Sequence, residues 1–322
     1  MEKQHTGKHY TNPVYPEIMA DPFVLRHEGQ YYAYGTAPGA ADGRQFPVLR
    51  SPDLVHWESL GHALVPPGGT DFWAPEVVFN AGQFYMYYSA QGIDGRDHQL
   101  RVAVSDQPQG PFIDSGVVLV PEQPFSIDAH PFCDSDGQWY LYYSVDFLEL
   151  EGDHRVGTGI VVDRMLDMTT LAGAPVTVAR PHADWHLFLA GRSMYGAVYD
   201  WHTVEGASVL RHQGRYYCFY SGGAWERENY GLSYVVADHP MGPYSRPAPE
   251  HAAPLMRSVP GSVIGPGHNS FTEGPDGQTW IVYHAWDPAM TGRRMCIDRL
   301  RWDGAQPVTD GPTWTEQGAP VA

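Results

Sequence analysis

The segment DAHPFCDSDGQWYLYYS (Asp128–Ser144) carries the pattern that decides the fold. It begins with a short apolar run, passes through a turn that contains Gly137, and ends in an aromatic run. Two such runs joined through a glycine turn are typical of a β-hairpin. Four more segments share this order: DPFVLRHEGQYYAYGT (Asp21–Thr36), WAPEVVFNAGQFYMYYS (Trp73–Ser89), EGASVLRHQGRYYCFYS (Glu205–Ser221) and HNSFTEGPDGQTWIVYHA (His268–Ala285).

The turn glycines of these repeats are spaced like the blades of a β-propeller. Their separations are 53, 55, 77 and 63 residues, and further strand candidates lie between the hairpins. Each unit therefore has room for about four strands, the size of one blade. We predict an all-β, five-bladed β-propeller that forms a single domain over residues 1–322, and a β-sandwich with coincidental hairpins is the disfavoured alternative. The predicted blades are 18–62, 70–121, 125–179, 200–250 and 263–312.

The composition supports this fold and excludes several classes of protein. The 322 residues include 35 Gly and 28 Pro, which interrupt long helices, and 13% aromatic residues, which favour strands. With 37 acidic and 20 basic residues the net charge is −17, so the chain repels phosphate backbones and no nucleic-acid partner is expected. Three widely spaced cysteines (Cys133, Cys218 and Cys296) match neither a disulfide framework nor a zinc pattern, and we predict buried free thiols.

The N-terminal segment gives an expectation about location. Residues 1–21 contain no apolar h-region, and no stretch of the chain approaches 18 apolar residues. We therefore expect no membrane contact and a cytoplasmic location, with the mature form of a secreted protein as the alternative.

Chemically distinctive side chains stand at the head of each repeat. Counting back eight or nine positions from the turn glycines gives Asp21, Trp73, Asp128, Glu205 and His268. The innermost strands of a propeller line its axis, so these side chains are expected to converge on one mouth of the channel. Three carboxylates in a partly desolvated funnel repel one another, which architecture alone does not favour. Such a cluster indicates a functional site.

The heads and their flanking motifs resemble those of glycoside hydrolase family 43, the five-bladed propeller glycosidases. The resemblance covers about residues 12–312. It rests on six motifs in this order: ADP (Ala20–Pro22), WAPEV (Trp73–Val77), SIDAHPF (Ser126–Phe132), TVEG (Thr203–Gly206), GPGHNS (Gly265–Ser270) and GRRMCIDRLRW (Gly292–Trp302).

The resemblance implies an inverting glycosidase that acts on pentose sugars. The family's general base falls on Asp21 and its general acid on Glu205. The third carboxylate, which tunes the acid and orients the sugar, falls on Asp128. Glu76 stands where the family commonly has Asp, and Ala207 where it has Pro. Neither departure affects the three carboxylates. The two departures therefore make the contacts to the sugar less certain, but not the chemistry.

The resemblance also implies contacts to the sugar and to an ion. Trp73 would line the sugar pocket, and an arginine that contacts the sugar falls on Arg293, or on Arg294 if the alignment slips by one. The family's axial histidine falls on His268 and often binds a hydrated Ca²⁺ or Na⁺ in the channel. We expect no required cofactor, and an ion near His268 only as an electrostatic element.

Elementary chemistry assigns protonation states to these carboxylates. Inversion places a water between base and sugar, so the two carboxyl groups should lie about 6.5–9.5 Å apart. Asp21 and Glu205 belong to blades one and four, which face each other across the axis. Asp21 should be ionised, whereas Glu205 should have a raised pKa so that it stays protonated. We expect an ionised Asp128 to raise that pKa by repulsion.

Other features receive a structural interpretation. His56, His98 and His186 lack the spacing of metal ligands and are interpreted as loop or core histidines, and the His130 side chain is interpreted as turned away from the site. The long connections Val145–Arg155 and Arg180–Trp201 are predicted to be pocket walls, with one-turn helices in the second.

The favoured activity is that of an α-L-arabinofuranosidase on arabinose- or xylose-containing plant-type oligosaccharides. The family's β-xylosidases often carry a C-terminal β-sandwich, whereas this chain ends soon after blade five. β-Xylosidase and endo-arabinanase are the alternatives among enzymes. A non-catalytic sugar-binding propeller would not need an acid and a base across the axis, and a protein-interaction propeller would need a polar rim. The sequence leaves the oligomeric state open.

Overall fold

Each of the five repeats forms an antiparallel hairpin in the computed structural model, which describes residues 8–248 and 253–321. Both ends of the predicted domain (1–322) and the last two residues of the predicted fourth blade (200–250) lie outside these ranges. So do residues 1–7 of the segment used to predict the location. The assignment of the whole chain to one domain stays a prediction.

Further strands extend each hairpin into a mainly antiparallel sheet. Strand β1 (His9–Tyr10) precedes blade one, which contains β2 (Ala20–His27), β3 (Gln30–Thr36), β4 (Gln45–Ser51) and β5 (Glu58–Val65). Blade two contains β6 (Thr70–Asn80), β7 (Gln83–Gln91), β8 (Gln99–Ser105) and β9 (Phe112–Val118). Blade three contains β10 (Ser126–Cys133), β11 (Trp139–Phe147), β12 (Gly157–Asp167), β13 (Thr170–Leu171) and β14 (Val176–Ala179).

The last two blades follow the same plan. Blade four contains β15 (Leu187–Met194), β16 (Ala197–His212), β17 (Arg215–Gly222), β18 (Gly231–Ala237) and β19 (Met256–Arg257). Blade five contains β20 (Ile264–Glu273), β21 (Thr279–Trp286), β22 (Arg293–Asp303) and β23 (Gln306–Thr309), and β24 (Gln317–Gly318) follows it. Among the described residues, helix is limited to the 3₁₀ turns Ile93–Gly95 and Asp184–His186.

The blades are arranged in a closed ring. Their innermost strands β2, β6, β10, β16 and β20 contact one another in this order, and β20 contacts β2 again. Near the two ends of the chain, β1 pairs with β24. The predicted all-β, five-bladed propeller is thereby confirmed. No helix in the described part of the chain has the length and apolar character needed to cross a membrane.

The hydrophobic core consists of five clusters, one between each pair of adjacent blades. Consecutive strand residues point to opposite faces of a sheet, so each blade supplies two clusters. Tyr88 packs between blades one and two, while Tyr87 packs between blades two and three. This alternation explains why the aromatic runs of the repeats lack a polar face.

The structure corrects several predicted details. Cys133 is exposed, because it ends β10 at the turn into β11, whereas the other two cysteines are buried. The connection Arg180–Trp201 holds one 3₁₀ turn but is mostly strand, since β15 and the first part of β16 form a hairpin there. Strands β5 and β19 also extend beyond the predicted ends of blades one and four.

Candidate active site

A β-bulge interrupts every innermost strand at or next to its predicted site residue. The pairing register between the first two strands of each blade slips there, which leaves two residues unpaired. A bulge bends the strand locally and redirects its side chains. The first unpaired residue has a positive φ in all five blades: Asp21 (50°), Ala74 (47°), Asp128 (58°), Gly206 (63°) and His268 (47°).

The bulges correct the alignment of the repeats by one residue. Trp73 and Glu205 immediately precede the bulge position rather than occupying it. Counting from the turn glycine fails because the hairpins differ in length. Blades one, two and four have two-residue turns, whereas Cys133 pairs with Trp139 across a longer turn in blade three.

The structure nevertheless brings the six predicted site residues to one pocket of about 330 Å³. Asp71 and Trp225, which the sequence did not single out, supply the outer wall. Arg294 does not reach this pocket, because its guanidinium group binds the Pro16 carbonyl and Asp287. The lining residues are Asp21, Asp71, Trp73, Ile127, Asp128, Glu205, Trp225, His268 and Arg293.

The prediction of which connections form the pocket walls was therefore wrong. None of the lining residues belongs to Val145–Arg155 or Arg180–Trp201. Asp71 lies near the start of β6, and Trp225 lies in the connection between β17 and β18. The sequence carried no signal for them, because neither position belongs to the repeated hairpin.

Asp21 is held as an anion. Its Oδ1 atom lies 3.2 Å from Arg293 Nη1 and 3.3 Å from His268 Nδ1. Burial by itself would raise the pKa of Asp21, but Arg293 and the neighbouring histidines outweigh it, so the pKa lies well below its ordinary value. An ionised carboxylate in this position can accept a proton.

His284 fixes the backbone of Asp21 from behind. Its Nδ1 atom accepts the backbone N–H of Asp21 at 3.0 Å and lies 3.2 Å from the Oδ1 atom of the same residue. Burial lowers the pKa of His284 to about 4, so the ring is neutral near pH 7.

A further repeat position distinguishes His284 from its equivalents in the other blades. In each blade one residue of the second strand pairs with the residue just before the bulge, and in blade four Ser221 accepts the bulge N–H of His268 at 2.6 Å. The residues in this position are Thr36, Ser89, Ser144, Ser221 and His284. The fifth repeat thus has an imidazole where the other four have a hydroxyl side chain, and this exception could be recognised from the sequence.

The surroundings of the partly buried Glu205 and the buried Asp128 favour protonation of both. Burial is the main reason that the pKa of Glu205 rises to about 7, and the charge of Asp21 adds to it. Burial and the nearby Glu205 raise the pKa of Asp128 well above its ordinary value. The expectation that an ionised Asp128 drives the shift of Glu205 is corrected, because burial is the main cause and the pKa of Asp128 is itself raised.

Aromatic rings flank the carboxyl groups. Trp73 stacks on the buried ring of His98 at 3.6 Å between centroids, so His98 supports the pocket wall from behind. The Arg293 guanidinium group lies 4.2 Å from the ring centroid of Trp225. Flat apolar faces beside charged groups suit a sugar, which presents C–H bonds on its faces and hydroxyl groups at its edges.

His130 lies outside the pocket and joins three blades. Its Nδ1 atom lies 2.8 Å from Glu76 Oε2, and its Nε2 atom accepts the backbone N–H of Val209 at 3.0 Å. The residue that departs from the family pattern, Glu76, thus bonds a buried imidazole of the next blade.

The residues near His268 do not fit a protein-ligated ion. The described part of the chain contains no group of three or more side chains of His, Cys, Asp or Glu arranged to hold a metal. Ca²⁺ takes six to eight oxygen ligands, so an ion in this channel would be held mostly by water. The hydrated channel ion stays a prediction.

Gly206 is required by its close approach to His268. A Cβ atom at this position would lie 3.2 Å from the His268 ring, and the φ of 63° is itself costly for a side chain. We expect Gly206→Ala to destabilise the protein by more than the roughly 1–2 kcal/mol of a left-handed backbone alone. Gly214→Ala is the matched control, since Gly214 has a φ of 80° and open space around it. Equal losses of unfolding free energy in urea would contradict the role of the ring contact.

Comparison with known proteins places these features in a family. Residues 10–306 match the model described as Glycosyl hydrolases family 43. A β-D-galactofuranosidase of Aspergillus niger is 30% identical over 91% of this chain and 82% of that protein. An extracellular exo-α-(1→5)-L-arabinofuranosidase of Streptomyces avermitilis is 26% identical over 94% of this chain and 65% of its own length. The crystal structure of a thermostable family-43 glycoside hydrolase superposes with a TM-score of 0.85 at 36% identity, covering 97% of this chain and 99% of that one.

Proposed function

Since this chain belongs to glycosyl hydrolases family 43 and is an inverting glycoside hydrolase, we propose that it is an exo-acting α-L-arabinofuranosidase. Its partners are arabinose- or xylose-containing oligosaccharides. The observation that carries the proposal is the placement of two carboxyl groups with different surroundings in one pocket, with Arg293 beside Asp21 and the Tyr230 hydroxyl group on Glu205. Asp21 has a lowered pKa and Glu205 a raised one, the division of roles that acid–base cleavage of a glycoside needs.

The size of the pocket supports an exo-acting enzyme. Its volume of about 330 Å³ is near the lower end of small-molecule sites, about 300–1,000 Å³. Such a pocket suits one or two sugar rings better than a long polysaccharide chain. The Aspergillus and Streptomyces relatives are both named as furanosidases, which supports a furanoside substrate.

The proposed reaction is a single displacement at the anomeric carbon. Asp21 takes a proton from a water molecule as the water oxygen bonds to the anomeric carbon. Glu205 gives its proton to the leaving oxygen as the glycosidic bond breaks, so charge and protons balance. Arg293 holds Asp21 in its ionised form and lines the pocket, where it would bind a sugar hydroxyl group. Asp128 accepts the Gly206 N–H at 3.1 Å and thereby orients the residue next to the acid.

Hydrolysis of aryl glycosides and the stereochemistry of release test this proposal. The p-nitrophenyl α-L-arabinofuranoside, β-D-xyloside and β-D-galactofuranoside should be cleaved in decreasing order, with ¹H NMR showing the inverted anomer first. If the xyloside or the galactofuranoside is cleaved fastest, the proposed arabinofuranoside specificity is wrong. A first product with retained configuration would exclude the mechanism, and no turnover on the panel or on natural oligosaccharides would favour a sugar-binding protein.

The two shifted carboxyl groups predict an asymmetric pH profile. Activity requires Glu205 protonated, so kcat/KM should fall as pH rises through about 7. It also requires Asp21 ionised, and because its pKa is lowered the acidic limb should lie below the ordinary aspartate value of about 3.9. The measurement is kcat/KM against pH on an oligosaccharide. Full activity at pH 9 would be inconsistent with Glu205 as the acid.

A further inference from the structure

Tyr230 lies between the acid and the base without lining the pocket. Its side chain is 1% exposed, and its hydroxyl group donates a hydrogen bond to Glu205 Oε1 at 2.9 Å. It immediately precedes β18, outside the repeated hairpins.

The Tyr230 ring stacks on the histidine that holds the base. Its plane is inclined by 7° to that of His284, with 5.8 Å between the centroids. His284 in turn accepts the backbone N–H of Asp21. One stack of two rings is therefore bonded to the acid at one end and to the base at the other.

Gly267 provides the space for this stack. A Cβ atom there would lie 2.5 Å from Tyr230 Cε1 and 2.9 Å from Ser221 Oγ. The tyrosine ring is thus wedged between blades four and five, and its hydroxyl group has a fixed position. A fixed donor restricts the carboxyl group that it binds.

We propose that Tyr230 is a positioning residue that holds the Glu205 carboxyl group in the orientation for proton donation. The role rests on the proposed function, because it acts through the proposed acid. The hydrogen bond itself does not depend on that function.

The hydrogen bond has a distinct electrostatic signature. A donor to a carboxylate stabilises its ionised form, so Tyr230 holds the pKa of Glu205 down while burial raises it. The other charged or titratable groups that act on Glu205 are Asp21, Arg293 and the coupled Asp128. Removing the hydroxyl group should therefore raise the pKa of Glu205 further, a change that simple loosening of the pocket would not produce.

The variant Tyr230→Phe tests the proposal, because it keeps the ring and its stack but removes the donor. We expect kcat/KM on an oligosaccharide to fall about 10- to 100-fold near neutral pH, and the basic limb of the profile to move to higher pH. The matched control is Tyr88→Phe, which removes another buried hydroxyl group, one that donates to Asp114 at 2.5 Å in blade two. This control should leave the profile in place.

A titration that needs no substrate separates this proposal from the proposed function. Carboxyl-¹³C glutamate is incorporated, and the resonance that disappears in Glu205→Gln identifies Glu205. Its titration midpoint should be higher in Tyr230→Phe than in the unmodified protein, whether or not either cleaves a glycoside. An unchanged or lower midpoint would overturn the role of Tyr230, while a raised midpoint in a protein without hydrolase activity would leave Tyr230 in place and remove the proposed function.

Discussion

Replacing Asp21 by Asn should lower kcat/KM by about 10²–10⁴-fold on every glycoside, whatever its leaving group. The reason is that attack by water needs a base even when the leaving group departs without help. Asn preserves the shape of the side chain and tolerates the positive φ of 50° at this position. It also keeps the backbone N–H that His284 accepts.

A neighbouring aspartate gives the control for this variant. Asp71 lies at the same pocket and has a φ of 49°, so Asp71→Asn makes the same chemical change on a similar backbone. It should cost far less activity, because the Asp71 side chain is exposed, whereas that of Asp21 is buried beside Arg293. Comparable losses in both variants would point to pocket charge rather than to a general base.

Replacing Glu205 by Ala should separate substrates by their leaving groups. Cleavage of an oligosaccharide should fall by about 10²–10⁴-fold, since its alkoxide leaving group needs a proton. Cleavage of a p-nitrophenyl glycoside should be largely spared, because nitrophenolate leaves without one. The descending limb near pH 7 should also vanish for the aryl substrate, as the group that titrates there is gone.

The Asp21→Asn variant serves as the reference for this experiment, because it should impair both substrates equally. The ratio of kcat/KM for the aryl glycoside to that for the oligosaccharide is therefore the quantity to compare. If Glu205→Ala leaves this ratio at its original value, Glu205 is not the acid. A check of thermal unfolding separates loss of chemistry from loss of fold.

The two variants depend on one electrostatic arrangement. Arg293 stabilises the charge on Asp21, and the charge on Asp21 helps to keep Glu205 protonated. The pKa values of the two carboxyl groups thus differ because Arg293 and two histidines surround Asp21, although each group lies at or next to the bulge of an innermost strand. We expect the pH profile to change whenever this arrangement is altered.

Much of the fold could be predicted from the sequence, because the determinants of the fold are local. A hairpin is specified by an apolar run, a glycine turn and an aromatic run that follow one another in the sequence. Five such hairpins at blade spacing specify a ring. The repeat also marked Asp21, Asp128 and His268, because each first strand carries its bulge at nearly the same distance from the turn. The repeat also aligned Trp73 and Glu205 with these bulge residues, although each lies one position before the bulge. The cause is the length of the hairpin turn, which varies between blades.

The tertiary structure alone decided the protonation states, the pocket wall and the position of Tyr230. The pKa of a carboxyl group depends on the groups that surround it, and these come from distant parts of the chain. Arg293 lies 272 positions after Asp21 and becomes its neighbour only when blade five closes against blade one. Repetition could therefore place the carboxylates at one mouth, while only the closed ring determined which of them holds a proton.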